Sequence, residues 1–133
     1  MAVTGLTTIA SRLSPQATMD RLESEVKARG MTVFARIDHG AGAAEAGLAP
    51  RPTEVLIFGN AKAGTLLMQS AQTTGIDLPL KALVWQDASG ATWLSYNDPV
   101  WVSERHGLGG ETAAAVRAMT AALEAVTKAA TTG

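Results

Sequence analysis

The spacing of apolar residues changes several times along the chain, and each change marks an element. Residues 4–13 are Thr-rich and β-branched without clean alternation, which predicts a first strand. Ser14 followed by Pro15 is a capping residue with proline at the first helical position. Met19, Leu22 and Val26 then fall at i, i+3 and i+7 before Gly30, so a helix is predicted. From Met31 the period drops to two. Val33, Ala35 and Ile37 are expected on one face of a second strand, with Thr32, Phe34, Arg36 and Asp38 on the other. Residues 39–48 are rich in Ala and Gly and predict a short, imperfect helix, which Pro50 and Pro52 end. Residues 54–58, Glu54 followed by the apolar run Val-Leu-Ile-Phe58, show the pattern of a central strand buried on both faces.

Beyond Gly59 and Asn60, helical spacing over residues 63–72 places Leu66, Leu67 and Ser70 on one helix, closed by Thr73, Thr74 and Gly75. Residues 80–86 and 92–96 predict a hairpin, because Asp87 to Gly90 supplies turn formers ending in glycine. Asp98-Pro99 repeats the cap-plus-proline signal for a short helix stopped by Gly107. A C-terminal helix is expected over 111–130, with Val116, Met119, Leu123 and Val126 on one stripe. The Ala residues flanking that stripe allow a close approach, so the helix is a candidate for either a dimer seam or a tight dock on the sheet; in a seam, a charge at Leu123 would yield monomers. The order β-α-β-α-β-α-β-β-α-α predicts one α+β domain over 1–133, a two-layer sandwich of a mixed sheet, with a β-hairpin and helices largely on one face. A doubly wound sheet fits less well, since the hairpin demands antiparallel pairing and no glycine-rich dinucleotide turn follows the first strand.

Several strings carry a resemblance. Met31-Thr-Val-Phe-Ala-Arg-Ile-Asp-His39, Phe58-Gly-Asn60, Lys62-Ala-Gly-Thr65, Gly75-Ile-Asp-Leu-Pro-Leu-Lys-Ala-Leu83, Leu94-Ser-Tyr-Asn-Asp-Pro99 and Arg105-His-Gly-Leu108 resemble, in order, the family labelled domain of unknown function 302. Two prolines of the family pattern are replaced by Ala61 and Leu66, which implies a less rigid loop. The resemblance implies a small α+β domain that forms homodimers, and it implies no activity.

Composition narrows the function classes. Eleven Lys and Arg against twelve Asp and Glu give a net charge of -1, which supplies no footprint for a phosphate backbone, so nucleic acid is not an expected partner. With no cysteine there is no disulfide framework, thiol couple or Cys-type zinc site. Residues 1–11 lack a basic region and no apolar run approaches the roughly 20 residues of a membrane span, so a cytoplasmic chain without membrane contact is expected.

The candidate chemistry lies at element ends. Gly59-Asn-Ala-Lys-Ala-Gly-Thr65 leads from a buried strand into a helix, a place where an anion could be held, yet Thr65-Leu66 stands where a phosphate-binding loop needs Lys-Ser/Thr. Asn60, Lys62, Gly64 and Thr65 are therefore candidate ligand-binding residues, and a plain helix-capping turn explains the same string. Tyr96, Asn97 and Asp98 gather a phenol, an amide and a carboxylate beside a helix start, as ligand contacts or as turn and cap. His39 and Asp38 are a candidate catalytic pair, His39 as general acid/base with Asp38 or Asp98 orienting it. His106 is either a further ligand contact or a helix C-terminal cap. No His-x-His or His-x-x-x-His spacing supports a metal, and no cofactor is expected. The leading expectation is a homodimer that binds a small polar or anionic molecule. An enzyme built on His39 and a ligand-free assembly or stress-related protein are the alternatives.

Overall fold

Ser14 begins the first helix as its sequence dictates: its backbone is extended and its hydroxyl accepts from the Ala17 N–H, with Pro15 at the first helical position. In the computed structural model, which describes residues 2–133, the elements are β1 (Leu6–Ser11), α1 (Pro15–Ala28), β2 (Thr32–Asp38), α2 (His39–Glu45), β3 (Thr53–Gly59) and α3 (Ala61–Ser70). A 3-10 stretch, Gln72–Asp77, leads through a cis Leu78–Pro79 bond into β4 (Leu80–Gln86). Then follow β5 (Thr92–Asn97), α4 (Pro99–Arg105), a 3-10 turn Gly110–Thr112 and α5 (Ala113–Thr132).

The α+β architecture is as expected, and the five-stranded sheet has the order β1-β5-β4-β3-β2. Its pairing corrects the expectation of a mixed sheet: all four ladders are antiparallel. The reason is visible between β2 and β3: Gly40 at the start of α2 lies against Arg51 and Thr53, so the chain re-enters the sheet at the end where β2 left it and β3 must run back along β2.

Alternation along each strand sorts the sheet into two unlike faces. Leu56, Phe58, Ala82, Val84, Leu94 and Tyr96 point to one side and pack with Met19, Leu22 and Val26 of α1 and Leu123, Val126 and Ala130 of α5. That face is the core, and the opposite face carries no helix among the described residues. Leu123 is 1% exposed inside this core, which removes it from any dimer seam.

Two local readings change for a stated reason. A register shift between Val33 and Ala35 makes Phe34 an extra residue in β2, so Val33 pairs with Phe58 on the helix side, while Ala35 and Ile37 pair with Ile57 and Val55 on the bare side. The three residues expected on one face are thereby divided between two. The residues expected to close α3 instead continue as the 3-10 stretch.

Candidate functional site

Antiparallel registers place the end of β3, the start of β2 and the start of β4 together, since Gly59 pairs with Thr32 and Phe58 with Leu80. Over this end of the sheet lie α3 and the middle of α5. Between them is a cleft of about 450 Å³, within the range of small-molecule sites. Met31 and Phe34 of the β2 end, Met68 of α3, Leu78 and Pro79 of the cis-proline loop, and Met119 of α5 form its walls. Gly64, Ala118 and Ala122 keep the helix surfaces low enough to leave the space open. None of its lining residues carries a formal charge, and the polar side chains present are those of Asn60 and Thr65.

Those two side chains are partly engaged. The Asn60 Oδ1 accepts from the Lys62 N–H at 2.9 Å and caps α3, while the Thr65 hydroxyl donates to the Ala61 carbonyl at 2.8 Å. The Asn60 amide nitrogen and the second lone pair of the Thr65 hydroxyl remain as hydrogen-bonding capacity at the cleft. Three thioethers and one exposed phenyl ring give the walls adaptable, polarisable surfaces. The arrangement suits an uncharged, largely apolar molecule with one or two hydrogen-bonding groups.

The remaining candidates do not converge on this cleft. Lys62 is exposed beside it and is not part of its lining. His39 and Asp38 stand at the other end of β2, about 20 Å of strand away. There the Asp38 Oδ1 accepts from the Ala41 N–H at 2.8 Å and caps α2, so it does not orient the exposed His39 ring. A broader hollow of about 740 Å³ at that end includes Asp38, Arg36 and Glu54. Its arginine is already spent: Arg36 makes ion pairs with Glu54, Asp20 and Glu23, contacts that hold its guanidinium firmly protonated.

Tyr96 is 8% exposed among core side chains, and burial, then the nearby Glu124 charge, pushes its phenol above the ordinary range. Asn97 borders a recess of only about 20 Å³. Asp98 caps α4 by accepting from the Val100 N–H at 2.9 Å. His106 neither joins the cleft nor caps with its ring. Its Nε2 lies 2.6 Å from the Asp77 Oδ2 and its Nδ1 2.9 Å from the Thr73 hydroxyl, while Arg105 donates to both Asp77 carboxylate oxygens. This clasp, in which the His106 and Asp77 side chains are nearly buried, ties α4 to the 3-10 stretch whose Gly75 and following Leu78 line the cleft. Close by, Lys81 is pushed below the usual lysine range by burial, which the Asp77 carboxylate opposes. Among the described residues no group of three or more His, Cys, Asp or Glu side chains is placed to hold a metal ion.

The apolar wall residues escaped sequence reasoning because it looked for polar groups. One signal was available: Gly75 to Leu83 is among the strings that carry the family resemblance, and Gly75, Leu78, Pro79 and Leu80 all line the cleft.

Residues 7–126 match the family described as "Domain of unknown function DUF302". Two curated relatives, each named Fluoride-specific ion channel FluC 1, from Brucella suis biovar 1 and Brucella abortus biovar 1, are 51% identical over 124 residues. The match takes in 93% of this chain and 49% and 46% of theirs, so the chain spans about half the length of the curated relatives it matches. The crystal structure of an uncharacterized conserved DUF302 protein from Bacillus stearothermophilus superimposes with a TM-score of 0.83. It covers 96% of this chain and 99% of that one at 19% identity, a likeness of fold.

Proposed function

Because the chain belongs to the family described as domain of unknown function DUF302, whose name carries no activity, we propose its function from the site: it binds a small, uncharged, predominantly apolar molecule in the cleft between α3, α5 and the cis-proline loop. The observation that supports this reading is the uncharged lining of the 450 Å³ cleft, with Asn60 and Thr65 to orient one polar group of the ligand. An anionic ligand would leave its charge unpaired against Met31, Phe34, Met68 and Met119. The enzyme reading based on His39 has no comparable support, since its ring and the cleft are at opposite ends of the sheet. A homodimer in the cytoplasm belongs to the same proposal. Self-association is favoured by a sheet that packs helices on one face only.

Conduction, named in the Brucella relatives, is not carried over. Among the described residues no helix is long and apolar enough to cross a membrane, and the five-stranded sheet is open.

Gly64 provides the test. It sits inside α3 at the cleft, and a Cβ built on it would meet only Leu78 at an ordinary 3.7 Å, so Gly64→Leu fills the space without a backbone clash. In a thermal-shift screen, neutral apolar compounds such as indole or a medium-chain alcohol raise the melting temperature by mass action. Phosphate and short carboxylates do not. Gly64→Leu folds and weakens binding at least tenfold. A shift produced by anions alone, or one that survives in Gly64→Leu, overturns this assignment of the ligand.

A further inference from the structure

The sheet face turned away from the helices has the composition of an interface interior. Across its middle, Thr8, Ser95, Leu83, Val55 and Ile37 form one row from edge to edge, fixed by consecutive pairings. Beside that row, Trp85 and Trp93 pair across the hairpin with their rings stacked 6.2 Å apart. Their polar atoms are already satisfied: the Trp85 indole donates to Ser95, which also bonds to Thr8, and the Trp93 indole donates to Asp87 at the turn. On the other side of the row, Ile57 neighbours Lys81, the one formal charge that projects from this face, and the Lys81 amine donates to the Pro79 carbonyl. The chain's other charged residues lie on the helical layer, on the turns or on the helix side of the sheet.

Resting on the homodimer reading above, we infer that two copies of this chain pack these bare faces against each other about a two-fold axis near Leu83. The size of the face supports this occupant. Five strands spaced about 4.8 Å apart and about 20 Å long present roughly 480 Å² each, so two copies cover close to the roughly 1,000 Å² that a specific interface requires. Sheets with interdigitating apolar side chains pack about 10 Å apart in this manner. A face whose single charge is Lys81 is also close to self-complementary, since a two-fold operation brings at most one like-charged pair into the interface and that amine is already engaged by the Pro79 carbonyl. A membrane surface fits less well, because docking on lipid needs basic residues at the rim and Lys81 is already engaged.

Light scattering of the full chain from 1 to 200 μM gives twice the 13.7 kDa chain mass at the higher concentrations. Leu83→Glu, at the centre of the face, yields a monomer with unchanged circular dichroism, whereas Leu66→Lys on exposed α3 leaves the dimer intact. Ile37→Lys, at an edge position 42% exposed, weakens the dimer at least tenfold without touching the core and serves if Leu83→Glu fails to fold. A wild type that stays monomeric at 200 μM overturns both the homodimer and this surface, and co-flotation of that monomer with neutral lipid vesicles assigns the face to lipid instead. A dimer that persists in both face variants overturns the surface alone.

Discussion

At the scale of single residues, side chains read from sequence as chemical groups turn out to be occupied by local structure. Asp38, Asn60 and Asp98 each cap the helix that follows them, as residue type and position foretold. Their acceptor oxygens are satisfied by backbone N–H groups. Asp87 is the strongest case. Its carboxylate accepts from the Ser89 hydroxyl, the Trp93 indole and the Ala91 and Ser89 N–H groups, and these bonds hold it down to about 2. An unfolded aspartate titrates near 3.9. The stabilisation is therefore complete above about pH 4 and is lost as pH falls through the folded value near 2. Asp87→Ala should melt below the wild type at pH 5, and the gap should close as pH falls to 2. Melting curves across that range check the sign; a gap independent of pH means that the carboxylate charge contributes nothing.

Elements were legible where one signal sufficed. The cap-plus-proline pairs at Ser14-Pro15 and Asp98-Pro99 start α1 and α4, and Gly90 closes the hairpin with φ 90°, a conformation costly for other residues. The bulge at Phe34 left no such mark, because an extra residue in β2 is defined only by the partner strand. Helix α5 shows how an amphipathic stripe can be read correctly while its neighbour stays open between a second copy and the sheet. Val116, Met119, Leu123 and Val126 do form one buried stripe, and it is covered within the chain: Leu123 and Val126 pack on the sheet and α1, and Val116 and Met119 pack with Leu67 of α3. Periodicity reports that a face is buried and does not say against what. Leu123→Ala should thus cost about 2–5 kcal/mol by urea denaturation, with the association state of the folded fraction unchanged. A stable folded monomer produced by that substitution would return the seam to α5.

For the whole molecule, the α+β class followed from element order, whereas the candidate site did not follow from any local string. The cleft exists because β2, β3 and β4 bring residues near 31, 59 and 80 to one end of the sheet, where α5 closes over them from almost forty positions further on. His39 and the 59–65 loop are separated by the same antiparallel register. This architecture also separates the two proposed surfaces: ligand on the helix side, partner on the bare side, with one sheet between them. Perturbations more than about 7–10 Å apart that share no partner add within about 0.5 kcal/mol. Leu83→Glu should therefore bind the compound with the largest melting shift to within about twofold of wild-type affinity, and Gly64→Leu should leave the light-scattering mass unchanged. The double variant should lose both properties to the extent of each single change. A tenfold change in affinity on breaking the dimer would instead mean that β3 and β4 transmit the state of one face to the other, and the two surfaces would have to be treated as one linked device.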